Sequence, residues 1–387
     1  MEQSQDTNSI KFTSNPLYSF YGLYRNCMQN PEMAKNAIEG FEDERLNRLM
    51  EIIPEKGTNA RIKSDLIHKQ IGKFNISDYD GFKNLMLKHL SSQEVEMFDK
   101  ILKPAFEAYS SFYDKNKEII DKNIEAMNSA QSVYQNDLSN LYKCFSIPKD
   151  KQCCCYLNPF PKNKIMDGIS NSENVSMDYS LNKNEVSDNY IENSSILKRK
   201  SSTPFHETTH FLFFNSQFKK DIENETSPQM KRLVDSVIKS FEKNGVQNNK
   251  FNREQMKVFA IGAINEAFAA CSTALYNEKT MGAPVTNENE WYHGWKQAND
   301  LTKQMYPMFK EYVERGKPFD IEFANKLSNS IEIERLKSKA TNSPTENKAS
   351  LIELRGLSPV TKAPHKPQAI TYNVNNLQLY QNKKQND

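Results

Sequence analysis

Apolar residues recur at intervals of three and four over residues 91–142, and this spacing constrains the fold more than any other feature. Residues three and four apart share one face of an α-helix, so such a stripe is typical of helices packed on a core. Ser91-Ser92-Gln93-Glu94 resembles a capping box, and Pro104 predicts a kink because the spacing resumes beyond it. We therefore predict a mostly helical region over residues 17–146.

Composition and length favour a mainly α (α+β) fold with more than one domain. Only 12 of 387 residues are glycine, which suits long helices joined by polar loops better than a barrel or a sandwich. A chain of this length exceeds what one core usually organises. We predict a flexible N-terminus over residues 1–16, the helical region over 17–146, a second domain over 147–338 and a disordered polar tail over 339–387.

Charge and segment composition exclude several classes of partner. The net charge is +2, from 51 basic and 49 acidic residues, and gives no long-range field for nucleic acid or an anionic membrane. We find no apolar run of the ~18 residues that a membrane span needs, and no secretory signal at the N-terminus. Three adjacent cysteines do not resemble a disulfide framework. We expect reduced thiols and either a cytoplasmic protein or one secreted by a leaderless route.

The second half of the chain combines a short sheet with several helices. The apolar stretch 152–161 (QCCCYLNPFP) predicts a strand, and the polar stretch 166–200 predicts loops with one or two short strands. Thr203 before Pro204 predicts an N-cap and a helix that runs to about Lys219. Ser227-Pro228 and the pair Asn252 and Gln255 give similar starting signals for helices at 228–245 and 252–277. Two further helical stretches are predicted at about 288–315 and 318–338.

The pentapeptide His206-Glu207-Thr208-Thr209-His210 carries the clearest chemical signal. On a helix, residues four apart project toward one point, so His206 and His210 can bind one Zn²⁺ at ~2.0–2.1 Å. Glu207 can then reach a zinc-bound water without ligating the ion, and take its proton as the water attacks a carbonyl carbon. The sequence thus predicts a catalytic zinc site. The alternative is a pair of histidines packed or solvated on a helix.

Glu266 is the candidate third ligand. It lies in the string GAINEA at residues 262–267, among apolar neighbours on a predicted helix. A carboxylate is costly to bury there unless it is paired or coordinated, and a metal ion supplies that partner. The alternative is that Glu266 lies on the solvated side of an amphipathic helix.

Together the two segments resemble the thermolysin-like (gluzincin) metallopeptidases. In that family a second helix carrying Asn-Glu follows the His-Glu-x-x-His helix, and its glutamate is the third zinc ligand. The resemblance implies a zincin-like catalytic domain over 147–338, with a small sheet and peptidase activity, and it covers only the two motif helices. The spacer from His210 to Glu266 is much longer than in thermolysin. The family often has an aspartate where this chain has Ala270, so support for the zinc histidines must come from elsewhere.

The run Cys153-Cys154-Cys155 offers a different third ligand. Peptide deformylases also carry His-Glu-x-x-His, with a cysteine from an upstream strand on the metal. The residues that flank this run do not resemble the deformylase motif, and cysteine in a strand is commonly packing. A strand at this place could instead bind an extended substrate as a further strand.

A peptidase of this type also needs a donor for the developing oxyanion. The segment Trp291-Tyr292-His293-Gly294-Trp295 offers Tyr292 and His293, with Tyr276 as a further candidate. The alternative for this segment is aromatic packing. The sequence as a whole predicts a zinc-dependent metallopeptidase acting on a protein or peptide, such as a specialised effector or toxin. The rival prediction is a non-catalytic helical interaction protein that retains a zinc site.

Overall fold

The computed structural model describes residues 9–29, 38, 40–41, 43–49, 58–131, 135–148, 151–161, 168–180, 194–243, 251–281 and 296–341. These residues are mostly helical and include one small sheet, which confirms the mainly α prediction. The helices are α1 (Pro16–Gln29), α2 (Glu44–Asn47), α3 (Thr58–Phe74), α4 (Tyr79–Met86), α5 (Ser92–Lys115), α6 (Lys117–Ala130), α7 (Gln135–Cys144), α8 (Ser194–Asn215), α9 (Gln217–Asn224), α10 (Pro228–Lys243), α11 (Arg253–Met281), α12 (Lys296–Arg315) and α13 (Ile321–Thr341). The strands are β1 (Ile10–Thr13), β2 (Cys153–Phe160), β3 (Gly168–Ser170) and β4 (Val175–Ser180).

The apolar stripe of residues 91–142 is buried as predicted, but it belongs to three helices. Helix α5 continues through Pro104, and the chain breaks helical geometry at Asn116 before α6 begins. Helix α7 carries the last part of the stripe. Buried members of the stripe are Val95, Leu102, Tyr109, Tyr113, Ile120, Met127, Leu138, Leu141 and Tyr142.

The sheet has the strand order β1-β2-β4-β3. Strands β1, β2 and β4 run parallel, and β3 pairs antiparallel with β4. Strand β2 is central and almost wholly buried, which explains why it is a continuous apolar run rather than an alternating one. The predicted strand at 152–161 is confirmed. The prediction that this strand binds a substrate strand is wrong, because β2 is already paired on both sides. Among the described residues, β3 lies next to the motif helix and is paired on one side only.

Helix α8, which carries the motif, differs from its prediction at both ends. It begins at Ser194 rather than Pro204 and ends at Asn215, where Ser216 caps the next helix by accepting a hydrogen bond from the Lys219 amide. Residues 196–200 (ILKRK) have good helix propensity, and the helix continues through the proline at 204, although proline has no amide hydrogen for the helical ladder and its ring crowds the preceding turn. The Thr203-Pro204 signal therefore does not start the helix, and the motif lies well inside it.

The predicted starts of α10 and α11 are confirmed. Ser227 Oγ accepts a hydrogen bond from the Met230 amide at the start of α10. At the start of α11, Asn252 and Gln255 cap each other's amides at 2.9 and 3.0 Å. Helix α13 ends at Thr341, so the first residues of the predicted tail are helical, and the rest of the tail lies outside the described residues.

The described chain divides into two compact units, and the division differs from the predicted boundary near residue 146. The first unit contains α1–α6, most of α7, the sheet, α8 and the end of α11 from Ser272. The second contains α9, α10, α11 as far as Cys271, α12 and α13. Residues 10–13, inside the segment predicted to be flexible, form β1 of the first unit. A four-residue strand that pairs with residues 153–156 gives too short a pattern to detect in the sequence.

Helix α11 forms part of the core of the second unit. Phe268 is fully buried there, and its ring centre lies 4.8 Å from that of Phe319 and 5.6 Å from that of Phe323. Contrary to the prediction that no segment could cross a membrane, residues 253–279 are long and apolar enough to do so, but 67% of their most apolar window is buried within the protein. That burial is consistent with the core helix of a soluble protein.

Candidate metal centre

The two motif histidines converge on one point beside α8. Their Nε2 atoms lie 3.2 Å apart, and the two rings are nearly perpendicular, at 85°. His210 is 6% exposed, and His206 is half-buried. The one-turn spacing therefore presents two imidazole nitrogens as the sequence predicted.

Glu266 of α11 joins the two histidines. The ligand atoms that His206, His210 and Glu266 offer all lie within 4.8 Å of one another. Glu266 is only 6% exposed, so it does not lie on a solvated helix face. The structure thus brings together the three predicted ligands in a buried group that could hold a metal ion.

The separation of the two histidine nitrogens suits a small divalent ion. Two nitrogens bound tetrahedrally at ~2.0–2.1 Å stand about 3.3 Å apart, close to the observed separation of the Nε2 atoms. Nitrogen ligands with one carboxylate are a donor set for a borderline-soft metal rather than for calcium or magnesium, which prefer oxygen alone.

Hydroxyl groups on α11 contact the motif helix. Thr273 Oγ1 lies 3.1 Å from Nδ1 of His206, the ring nitrogen that does not face His210. One turn along α8, the Thr209 and Ser272 hydroxyls are 2.8 Å apart. The side chain of Ala270 offers no polar group, whereas Thr273, three residues later, contacts His206. Thr273 follows Glu266 by seven residues, so both lie on the same helix face, a spacing that the sequence already contained.

Glu207 is held from the other side by the sheet. Its side chain is 8% exposed, and Oε2 accepts a hydrogen bond of 2.9 Å from Ser170 Oγ at the end of β3. Ser170 lies 37 residues before Glu207 and no local sequence pattern connects the two, so this contact is not predictable from the sequence.

The centre is interpreted from its own geometry. No protein-family model, curated protein or solved structure matches the chain. The resemblance to gluzincins rests on His206, Glu207, His210 and the pair Asn265-Glu266. The arrangement of the side chains then carries the argument for function.

The structure places Cys153 away from the histidines. Its Sγ lies 3.7 Å from the hydroxyl of Thr208, and Thr208 is two residues from each histidine, which turns it to the opposite side of α8. Burial raises the pKa of the Cys153 thiol, which disfavours the thiolate that binds metals. Among the described residues, the group able to hold a metal contains no cysteine. Cysteine ligation, the deformylase-like alternative, is therefore not supported.

The predicted oxyanion donors have different outcomes. Tyr292 and His293 lie outside the described residues. Tyr276 is buried on α11, with its ring centre 5.9 Å from that of Phe205, the residue before His206. Tyr276 thus packs beside the motif helix.

Proposed function

We propose that the chain is a zinc-dependent metallopeptidase that hydrolyses bonds in a protein or peptide substrate. The observation that carries the proposal is the convergence of His206, His210 and Glu266, with Glu207 buried next to the first of these ligands. A metal site that only stabilises the fold does not require a further carboxylate, such as that of Glu207, next to its ligands. A hydrolase needs one as its general base.

The donor set favours a catalytic zinc site over a structural one. Structural zinc sites are closed by four protein ligands, whereas catalytic sites have three and keep one position open. The group among the described residues has three members, two imidazoles and one carboxylate. When bound, zinc would supply Lewis acidity, which polarises a carbonyl and makes water more acidic.

Glu207 and β3 supply the remaining functions. In this proposal the Glu207 carboxylate takes a proton from the attacking water and passes it to the departing amine when the carbon–nitrogen bond breaks. Strand β3 contacts Glu207 through Ser170 and is paired, among the described residues, with β4 alone. An extended peptide can pair with its other side and so lie next to the catalytic group.

The test compares the wild type with Glu207→Gln. We expect purified wild-type protein to contain about one zinc per chain by mass spectrometry, and to cleave members of a broad peptide library. The Gln variant should keep its zinc, because Glu207 is not a ligand, and lose cleavage by about 10²–10⁴-fold. Glu332→Gln is the matched control: it changes a carboxylate that pairs with Arg232 in the second unit and should cleave like the wild type.

Two outcomes would contradict the proposal. Zinc bound to both proteins, with equally poor cleavage, would favour the interaction protein that retains a metal site. Absence of bound zinc after dialysis against a zinc buffer would show that these residues do not form a zinc site.

A further inference from the structure

Ser170 occupies a fixed position in the sheet. It is the last residue of β3 and pairs with Val175 at the start of β4. The turn between the strands is closed by Asn171, whose side-chain oxygen accepts hydrogen bonds from the amides of Glu173 and Asn174 at 2.7 and 3.1 Å. The Asn171 amide also donates to the Asn174 carbonyl. Such side-chain bonds to the backbone make the turn rigid.

The turn is also attached to helices of the first unit. Asn215, the last residue of α8, donates from Nδ2 to the Ser172 carbonyl at 3.0 Å. Lys69 of α3 donates to the Ser172 hydroxyl at 2.9 Å, and the Tyr18 hydroxyl donates to Asn174 Oδ1 at 2.8 Å. The hairpin therefore contacts α8 at two places, eight residues or about 12 Å apart along the helix.

We propose that Ser170 is a positioning residue that sets the orientation of the Glu207 carboxylate; this inference rests on the proposed function. A glutamate side chain has three rotatable bonds, and fixing them costs entropy each time the reaction needs one orientation. The bond from Ser170 Oγ to Oε2 restricts rotation of the carboxylate, and with it the direction of the second oxygen, before substrate binds. General-base catalysis depends on that direction.

The kinetic test uses the zinc-loaded full chain and a peptide that the wild type cleaves. Ser170→Ala should lower kcat by about 10- to 100-fold, with KM within about threefold and bound zinc unchanged. Ser170→Thr keeps the hydroxyl and should restore most of kcat. In the Glu207→Gln background, Ser170→Ala should change the residual rate by less than about twofold, because its effect passes through Glu207.

Ser172→Ala is the matched control, because its hydroxyl lies in the same hairpin and contacts Lys69. It should leave kcat within about twofold of the wild type. A readout independent of catalysis is the urea midpoint of the metal-free protein. The shifts caused by Ser170→Ala and Glu207→Ala, each of which removes the hydrogen bond, should be non-additive if the two side chains are bonded.

The inference and the proposed function fail in different ways. If Glu207→Gln is inactive but Ser170→Ala keeps the wild-type kcat, Ser170 has no positioning role and the peptidase stands. Loss of zinc, or an equal loss of kcat in Ser172→Ala, would make the effect merely structural and would overturn the inference. Additive midpoint shifts would show that the contact is absent. A wild type that cleaves no peptide would overturn the proposed function and this role with it.

Discussion

Thr273 provides the most direct test of the metal centre, because it touches a predicted ligand without being one. When Nε2 of His206 binds a metal, Nδ1 carries the ring proton and donates it to Thr273 Oγ1 across the observed 3.1 Å. Thr273→Val removes the acceptor and keeps the shape of the side chain. In the variant the imidazole can rotate and adopt its other tautomer. Part of the free energy of metal binding must then be used to fix the orientation and tautomer of the ring.

The expected size follows from the hydrogen bond. A typical bond contributes about 0.5–1.5 kcal/mol net, and a tenfold change in affinity corresponds to about 1.4 kcal/mol. Outer partners of zinc histidines usually alter metal affinity by about 10- to 100-fold, because loss of the bond also leaves a polar group without its partner. We therefore expect a weakening of at least about tenfold.

The assay is a competition titration of zinc between the protein and a chromogenic chelator of known affinity. Thr302→Val is the matched control, since this buried threonine hydroxyl bonds to the Ala298 carbonyl of α12 and should leave zinc affinity unchanged. An affinity of Thr273→Val equal to that of the wild type, in a protein that remains folded, would refute the idea that Thr273 supports His206.

Two further predictions address the identity of the ligands. Glu266→Gln should weaken zinc binding in the same titration by more than about 100-fold, since it removes a charged ligand and outer partners alone account for 10–100-fold; a change below tenfold would place the third ligand elsewhere. Cys153→Ala should leave zinc affinity unchanged, because Cys153 contacts Thr208 away from the histidines. Burial raises the pKa of the Cys153 thiol in the folded protein above its value in the unfolded chain. The buried neutral thiol therefore contributes fully to the stability of the fold below the ordinary thiol pKa of about 8.5, and this contribution is lost as the pH rises above that value. Urea unfolding should therefore show a smaller loss of stability in Cys153→Ala than in the wild type between about pH 8 and pH 10.

The sequence was informative wherever a feature depends on neighbouring residues. The spacing of His206 and His210 determines that they share a helix face, and the Asn252-Gln255 pair determines where α11 begins. The apolar run of β2 follows from burial on both faces of a parallel sheet. Each of these leaves its signature in consecutive or regularly spaced residues of one element, which the sequence shows directly.

Features that depend on pairing between distant segments could not be read in this way. Strand β1 exists because residues 10–13 pair with residues 153–156, and the Ser170–Glu207 bond joins a strand to a helix 37 residues later. The start of α8 differs from its prediction for another reason: Thr203-Pro204 is typical of a helix start, but the residues before it are also helical. Local sequence patterns favour one possible start of a helix over another, but tertiary packing determines where the helix begins.

The contacts between α8 and α11 explain why a seven-residue interval suits this centre. Phe205 of α8 contacts Tyr276 of α11, His206 contacts Thr273, and Thr209 contacts Ser272. Residue numbers therefore rise along α8 as those of the contacted residues fall along α11, so the two helices pack antiparallel. Advancing one turn on α8, from His206 to His210, therefore corresponds to moving back along α11 from Thr273 toward Glu266. A single face of α11 therefore contacts His206 through Thr273 and brings Glu266 into the group that could hold a metal ion. In our proposal the Thr273 hydroxyl, one turn after Ala270, supports His206 in place of the aspartate that the gluzincin resemblance implies at position 270.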